Sequence, residues 1–220
     1  MIRALIFDFD GLILDTEGPI YQSWRELFQK YDCDLRLETW AKIIGVPVGT
    51  LDPFTLLEEK LGYPVDRAAL SPERRAREDE LNARQPVLPG VEAYIAEAKR
   101  LGLGLAIASS SSCKWITRHL TRLGLLSHFD CIRASDDVDR AKPDPDLYLS
   151  ALECLNVEPH QAIALEDSPN GVMAAKRAGL FCVAVPNPLT RELPLDHADL
   201  RLDTLAEMPL EELLRKAEAL

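Results

Sequence analysis

Basic charge is scarce in this sequence. Lys and Arg together number 25 against 36 Asp and Glu, a formal net charge of −11. Nucleic acids and anionic membranes are recognised through basic patches, so neither is an expected partner. A small anionic substrate is still allowed, because a metal ion and one lysine can reverse the field locally. Long apolar runs are missing too: none approaches the roughly 20 residues of a membrane span. No basic stretch leads into an apolar one near the start, so no signal peptide is expected. The four histidines, His119, His128, His160 and His197, show no metal-ligand spacing and read as surface or capping residues. The five cysteines, Cys33, Cys113, Cys131, Cys154 and Cys182, form no close pair. That speaks against a disulfide framework and suits a reduced, cytoplasmic protein. Cys113 follows a serine run at an expected helix start, where a thiol can become more acidic. Neither an internal repeat nor a low-complexity segment is present.

What the chain does have is a hydrophobic fraction of 47%, enough for a well-buried core over 220 residues. Residues 3–8 read as a strand covered on both faces, being continuously apolar. From about Thr16 to Arg84 the character changes. Glu, Arg and Leu dominate, and Tyr21, Trp24, Leu27 and Phe28 fall at helical spacing, as do Leu56, Leu57 and Leu61. Ser71-Pro72-Glu73 reads as a helix start, with a capping residue, a proline and an early acid. This stretch is an all-helical insert, assigned to residues 16–85. After Pro86, Pro89 and Gly90 the pattern alternates. Strands are expected at 103–108, 130–134, 162–166 and 181–185, and helices at 91–101, 113–123, 144–155, 170–178 and 209–218. Such alternation predicts an α/β fold, a doubly wound parallel sheet built from residues 1–15 and 86–220, with the small helical domain inserted.

Polar clusters stand where these strands end. Asp8-Phe9-Asp10-Gly11 follows Ala4-Leu5-Ile6-Phe7, Ser109-Ser110-Ser111-Ser112 follows Leu105-Ala106-Ile107-Ala108, and Glu166-Asp167 follows Ala162-Ile163-Ala164-Leu165. A fourth cluster is Lys142 in Ala-Lys-Pro-Asp-Pro-Asp. Carboxyl ends of parallel strands share one edge, which is where ligands bind. Phosphoryl transfer needs a nucleophile, a cation to neutralise oxygen charge and a group that protonates the leaving alcohol. An aspartate can be the nucleophile, and two aspartates one residue apart can divide the work. Gly11 would let the backbone turn closely around a phosphate. The serine run offers hydroxyls and N–H groups at a helix start, an anion site by geometry and dipole. Lys142 could neutralise a phosphate and Asp8 together. Carboxylates at a strand end suit magnesium, which takes oxygen ligands. Each cluster alone has a bland alternative, as a helix cap or a solvated charge. Their joint occurrence in order is what points to chemistry.

These motifs resemble those of the haloacid dehalogenase superfamily, in its phosphatase and phosphomutase branch. Phe7-Asp8-Phe9-Asp10-Gly11, Ser109, Lys142 and Glu166-Asp167-Ser168-Pro169-Asn170-Gly171 match its four motifs in order, and the likeness spans nearly the whole chain. The resemblance implies a Rossmann-like core with a helical cap, and a magnesium-dependent phosphatase acting on a small phosphorylated metabolite. It implies Asp8 as nucleophile and Asp10 as general acid/base. Ser109, Ser110, Lys142 and Gly11 would bind phosphate. Asp8, Asp10 (through its carbonyl), Asp167 and Glu166 would hold Mg2+. A monomer without nucleic-acid or membrane partners is expected. Within the branch the chain is similar to β-phosphoglucomutase-like proteins, yet Ile20 and Val46-Pro47-Val48 stand where the sugar mutase has a histidine and a phosphate-holding arginine. A mutase would need Arg74, Arg75 or Arg77 as a substitute clamp. The reading from another class is a non-catalytic phospho-acceptor, such as a receiver domain, or a ligand-binding module. Receiver domains are about half this length and carry no helical insert.

Overall fold

A parallel sheet organises the larger part of the chain. The computed structural model describes residues 1–44, 52–191 and 193–219. Among them six strands form one sheet: β1 (Ala4–Phe7), β2 (Gly104–Ala108), β3 (Cys131–Arg133), β4 (Ala162–Glu166), β5 (Phe181–Ala184) and β6 (Leu200–Arg201). Their order is β3-β2-β1-β4-β5-β6, and every pairing is parallel. This is the doubly wound order, whose direction of winding reverses beside β1. Phe7 lies opposite both Ile107 of β2 and Leu165 of β4. The three central strands therefore end level, and the residues after them emerge together at the switch point.

The described helices are α1 (Glu17–Gln29), α2 (Leu37–Ile44), α3 (Pro53–Leu61), α4 (Arg67–Arg84), α5 (Val91–Leu101), α6 (Cys113–Leu123), α7 (Asp146–Leu155), α8 (Pro169–Arg177) and α9 (Leu210–Glu218). Chain contacts divide the molecule into two units, Met1–Asp15 with Pro86–Leu220, and Thr16–Gln85. In the first unit alternate strand residues serve opposite faces. Leu5, Phe7, Leu105, Ile107, Ile163, Leu165 and Val183 pack with Tyr94 and Ile95 of α5, Ile116 and Leu120 of α6 and Leu213 of α9. The other face is built of smaller residues. Ala4, Ile6, Ala106, Ala108, Ala162, Ala164, Cys182 and Ala184 meet Leu147, Tyr148 and Ala151 of α7 and Val172, Ala174 and Ala175 of α8. The bulk of that second layer is supplied by the helices. One of its members, Tyr148, carries a hydroxyl into the interior.

The Thr16–Gln85 unit packs chiefly α1 on α4. Trp24 meets Phe54 edge to face at 4.8 Å between centroids, and Arg74 lies 4.8 Å over the Trp24 ring. Two expectations are corrected. Helix α4 begins not at Ser71 but at Arg67, where Asp66 caps it by accepting from the Ala69 N–H at 3.1 Å. Pro72 then lies inside the helix. His119 is not a surface residue: it is buried on α6 against Trp115 and Phe9. It falls at helical spacing with Ile116 and Leu120, which turns it inward.

Candidate active site

The end of β1 places Asp8, whose N–H donates to the Leu165 carbonyl at 2.9 Å and so continues the pairing with β4. Its side chain is 9% exposed. Glu166 ends β4 and is wholly buried. Lys142 precedes α7, next to the cis Lys142-Pro143 bond, and its side chain is 5% exposed. The Lys142 ammonium donates to Asp8 Oδ1 and to Glu166 Oε1. Tyr148 donates its hydroxyl to the same Glu166 oxygen at 2.6 Å, and the ammonium stands 5.2 Å from its ring centroid. Burial pushes the Asp8 carboxyl up, against the pull of Lys142, and Glu166 and Asp10 push it further, to about 8. Burial alone would lower Lys142, but the Asp8 and Glu166 carboxylates outweigh it and hold the ammonium above its ordinary value. Burial also raises the Tyr148 hydroxyl well above its usual range, so it stays a donor.

Asp167 follows Glu166 and is also buried. Its Oδ2 accepts from the Asn187 side-chain amide at 2.8 Å. Asn187 is itself fixed beyond β5, since its Oδ1 accepts from the N–H groups of Leu189 and Thr190 at 2.8 and 3.1 Å. Gly11 packs directly on this pair. A Cβ there would stand 2.2 Å from Asp167 Oδ2 and 2.7 Å from Asn187 Nδ2, and its φ of +83° suits glycine. The close approach at Gly11 is thus to the second acid. Gly171 plays the same part for Glu166, whose carboxylate atoms would lie 1.9 to 2.1 Å from an added Cβ. Ser168 caps α8 by accepting from the Gly171 N–H at 3.2 Å, so the motif closes on itself.

Asp10 has different company. Ser111 donates to its Oδ2 at 2.6 Å and Ser109 to the same oxygen at 3.3 Å, while the Trp115 indole N–H donates to Oδ1 at 3.0 Å. Ser109 is buried just after β2, and its hydroxyl also accepts from the Ser111 N–H at 3.0 Å. Ser110 is exposed on the same turn. Ser112 is occupied as the cap of α6, accepting from the Trp115 N–H at 3.3 Å. Asp8, Lys142, Glu166 and Asp167 thus form one cluster, and Asp10 with Ser109 an adjoining one. Tyr148, Asn187 and Trp115 are the members that sequence alone does not reveal, while Ser111 belongs to the serine run read as a candidate.

One carboxylate oxygen from each of Asp8, Glu166 and Asp167 lies within 4.8 Å of the others. If all three ionise, Lys142 offsets one of three negative charges. An all-oxygen set with surplus negative charge fits a hard divalent cation.

This constellation agrees with the comparisons to known proteins. The haloacid dehalogenase-like hydrolase family matches residues 5–185. The chain belongs to that family. Among its relatives, YhcW of Bacillus subtilis (strain 168), named as a candidate phosphatase, is 47% identical over 97% of each chain. A phosphorylated carbohydrates phosphatase of Thermotoga maritima (strain ATCC 43589 / DSM 3109 / JCM 10099 / NBRC 100826 / MSB8) is 32% identical, over 81% of this chain and 82% of its own. A crystal structure from Thermotoga maritima, titled as a candidate beta-phosphoglucomutase, superposes with a TM-score of 0.81 at 28% identity, covering 98% of this chain and 99% of that one. As a haloacid dehalogenase-like hydrolase with this acidic site, the chain is a phosphoric monoester hydrolase.

Proposed function

We propose that the chain is a magnesium-dependent phosphatase of a small phosphorylated sugar or sugar alcohol, working through an acyl phosphate on the Asp8 carboxylate. The observation that carries this reading is the unlike surroundings of two aspartates one residue apart. Asp8 faces an ammonium and two carboxylates, whereas Asp10 faces hydroxyls and an indole N–H. Asp8 attacks phosphorus in its ionised form, which Lys142 favours and a cation held by the neighbouring carboxylates would favour further, and a new oxygen–phosphorus bond forms as the ester bond breaks. Asp10 gives its proton to the departing alcohol oxygen. Asp10, now a carboxylate, then takes a proton from water. The water oxygen attacks phosphorus, the bond to Asp8 breaks and inorganic phosphate leaves.

Lys142 holds Asp8 in line and draws in the phosphoryl oxygens, with Ser109 and Ser110 as further phosphate contacts; the phosphate contact expected of Gly11 is not supported, because its N–H already donates to the Leu14 carbonyl at 2.8 Å. Oxygens of Asp8, Asp167 and Glu166 and the Asp10 carbonyl would hold magnesium, which neutralises charge on the phosphoryl group. In this reading residues 1–15 and 86–220 are the catalytic core and residues 16–85 the cap that selects substrate. The Thermotoga maritima carbohydrate phosphatase supports the substrate class. A mutase is less favoured. Of its candidate clamps, Arg74 pairs with Glu78 and Ser23, and Arg77 with Glu26 and Glu80. Residues 46–48, the loop where a clamp is expected, lie outside the described residues. Among the described residues no helix is long and apolar enough to cross a membrane.

The test is phosphate release from a panel of phosphorylated metabolites with magnesium and with chelator. Sugar and sugar-alcohol phosphates should be the best substrates, and only with the metal. Full activity in chelator would remove the metal, and failure on every ester would remove the reading.

A further inference from the structure

The Asp10 carboxylate is held by two kinds of partner, and the difference has a consequence for how it works. Among the described residues its Oδ2 meets only hydroxyls, Ser111 at 2.6 Å and Ser109 at 3.3 Å. A hydroxyl can donate or accept, so it can stay bonded whatever Oδ2 carries. Oδ1 meets the Trp115 indole N–H at 3.0 Å. An indole N–H can only donate, so it keeps Oδ1 as an acceptor. Trp115 is itself anchored. It lies in the first turn of α6, whose cap is Ser112, and its ring packs on buried His119 with centroids 4.3 Å apart at 60°. It also packs against the larger-residue core layer. The indole is therefore a fixed donor, while a serine hydroxyl can turn its proton to donate or accept.

We propose that Trp115 is a positioning residue for the hydrolysis: its indole N–H ties down Oδ1 of Asp10 and leaves Oδ2 as the oxygen that exchanges a proton with the leaving alcohol. This rests on the reading of Asp10 as general acid. Without the indole contact the carboxyl can rotate, and the working oxygen is presented to the leaving group for only part of the time. Esters that need a proton on the leaving oxygen should suffer, and esters that do not should be spared.

Two substrates separate these cases. Sorbitol 6-phosphate expels an alkoxide that must be protonated, whereas p-nitrophenyl phosphate expels a stabilised phenolate. The comparison uses kcat/KM, which reports events up to the first phosphoryl transfer and excludes the shared second step. Trp115→Phe should lower kcat/KM for sorbitol 6-phosphate by about tenfold or more, part of the 10²–10⁴ that a general acid supplies. It should change the value for p-nitrophenyl phosphate less than about threefold. Replacing Trp115 by β-(3-benzothienyl)alanine, which puts sulfur in place of the N–H within the same shape, should give the same split should Trp115→Phe fold poorly. Asp10→Asn runs in parallel. A split in Asp10→Asn without one in either Trp115 variant overturns the role of Trp115 alone. No split in Asp10→Asn overturns the general-acid reading, and the Trp115 role falls with it. An equal loss on both esters in the Trp115 variants reduces the residue to packing and also overturns the proposal.

Discussion

Gly171→Ala is a substitution on which local helix preference and the site geometry give opposite signs. Gly171 lies in the first turn of α8. In a helix, alanine is favoured over glycine by about 1 kcal/mol, so the change should stabilise if nothing else is touched. Here the added Cβ would stand 1.9 to 2.1 Å from the Glu166 carboxylate. That carboxylate is the far end of a flexible side chain, so the overlap itself can be relieved by rotation. The cost comes from what rotation breaks. Glu166 is wholly buried, and its Oε1 accepts from both Tyr148 and Lys142. A hydrogen bond to a charged group contributes about 1.5–3 kcal/mol. Breaking a buried ion pair costs about 3–5 kcal/mol. The two overlap, and Lys142 keeps Asp8, so a net loss of about 3 kcal/mol remains after the helix gain. For a chain of this size that is a fall in Tm of roughly 6–12 °C. Thermal unfolding of wild type and variant in chelator reads it directly, and phosphate release should fall with it as Lys142 loses its second anchor. A Tm equal to or above wild type would refute the claim that the Glu166 carboxylate is locked by Gly171, Tyr148 and Lys142.

Further outcomes follow from the same geometry. Burial raises the Asp8 carboxyl to about 8, so its ionisation weakens the metal-free fold as pH climbs from the ordinary carboxylate range through that value. Asp8→Asn removes this group, so in chelator its Tm relative to wild type should gain with rising pH and level off above about 8; a difference that does not move with pH contradicts the burial effect. Chelator should abolish phosphate release, magnesium should restore it, and magnesium should raise the Tm of wild type more than that of Asp8→Asn. Unchanged melting with magnesium would argue against the three-carboxylate site. β-Glucose 1-phosphate with a trace of bisphosphate should yield phosphate and little glucose 6-phosphate, as quantified by a coupled dehydrogenase assay. Isomerisation faster than phosphate release would reverse the ranking of phosphatase over mutase.

The strand-end acids are legible in the sequence because each follows a short apolar run, and parallel strands deliver such ends to one edge. Asp8, Glu166 and Asp167 are brought together as that rule requires. The doubly wound sheet is legible for the same reason, although β6, two residues long, carries no pattern to detect. The supporting residues are hidden. Tyr148 and Trp115 sit at helical core spacing and look like packing residues. Their polar tips meet partners 18 and 105 positions away, which no local pattern encodes. Asn187 stands in a turn, where asparagine is common for backbone reasons alone. His119 was within reach, since its spacing with Ile116 and Leu120 marks the inner face of α6. Helix α4 starts before its strongest start signal because Asp66 caps an earlier turn, which leaves Pro72 past the first turn and inside the helix.

The central claim is that Asp8 itself carries the phosphoryl group during turnover. Rapid quenching in the steady state with a good substrate and magnesium, followed by borohydride, reduces an aspartyl phosphate to homoserine. Peptide mass spectrometry should find homoserine at position 8, dependent on substrate and absent from Asp8→Asn. Homoserine at another aspartate, or an unmodified Asp8 in an enzyme that is turning over with its intermediate accumulated, would contradict it.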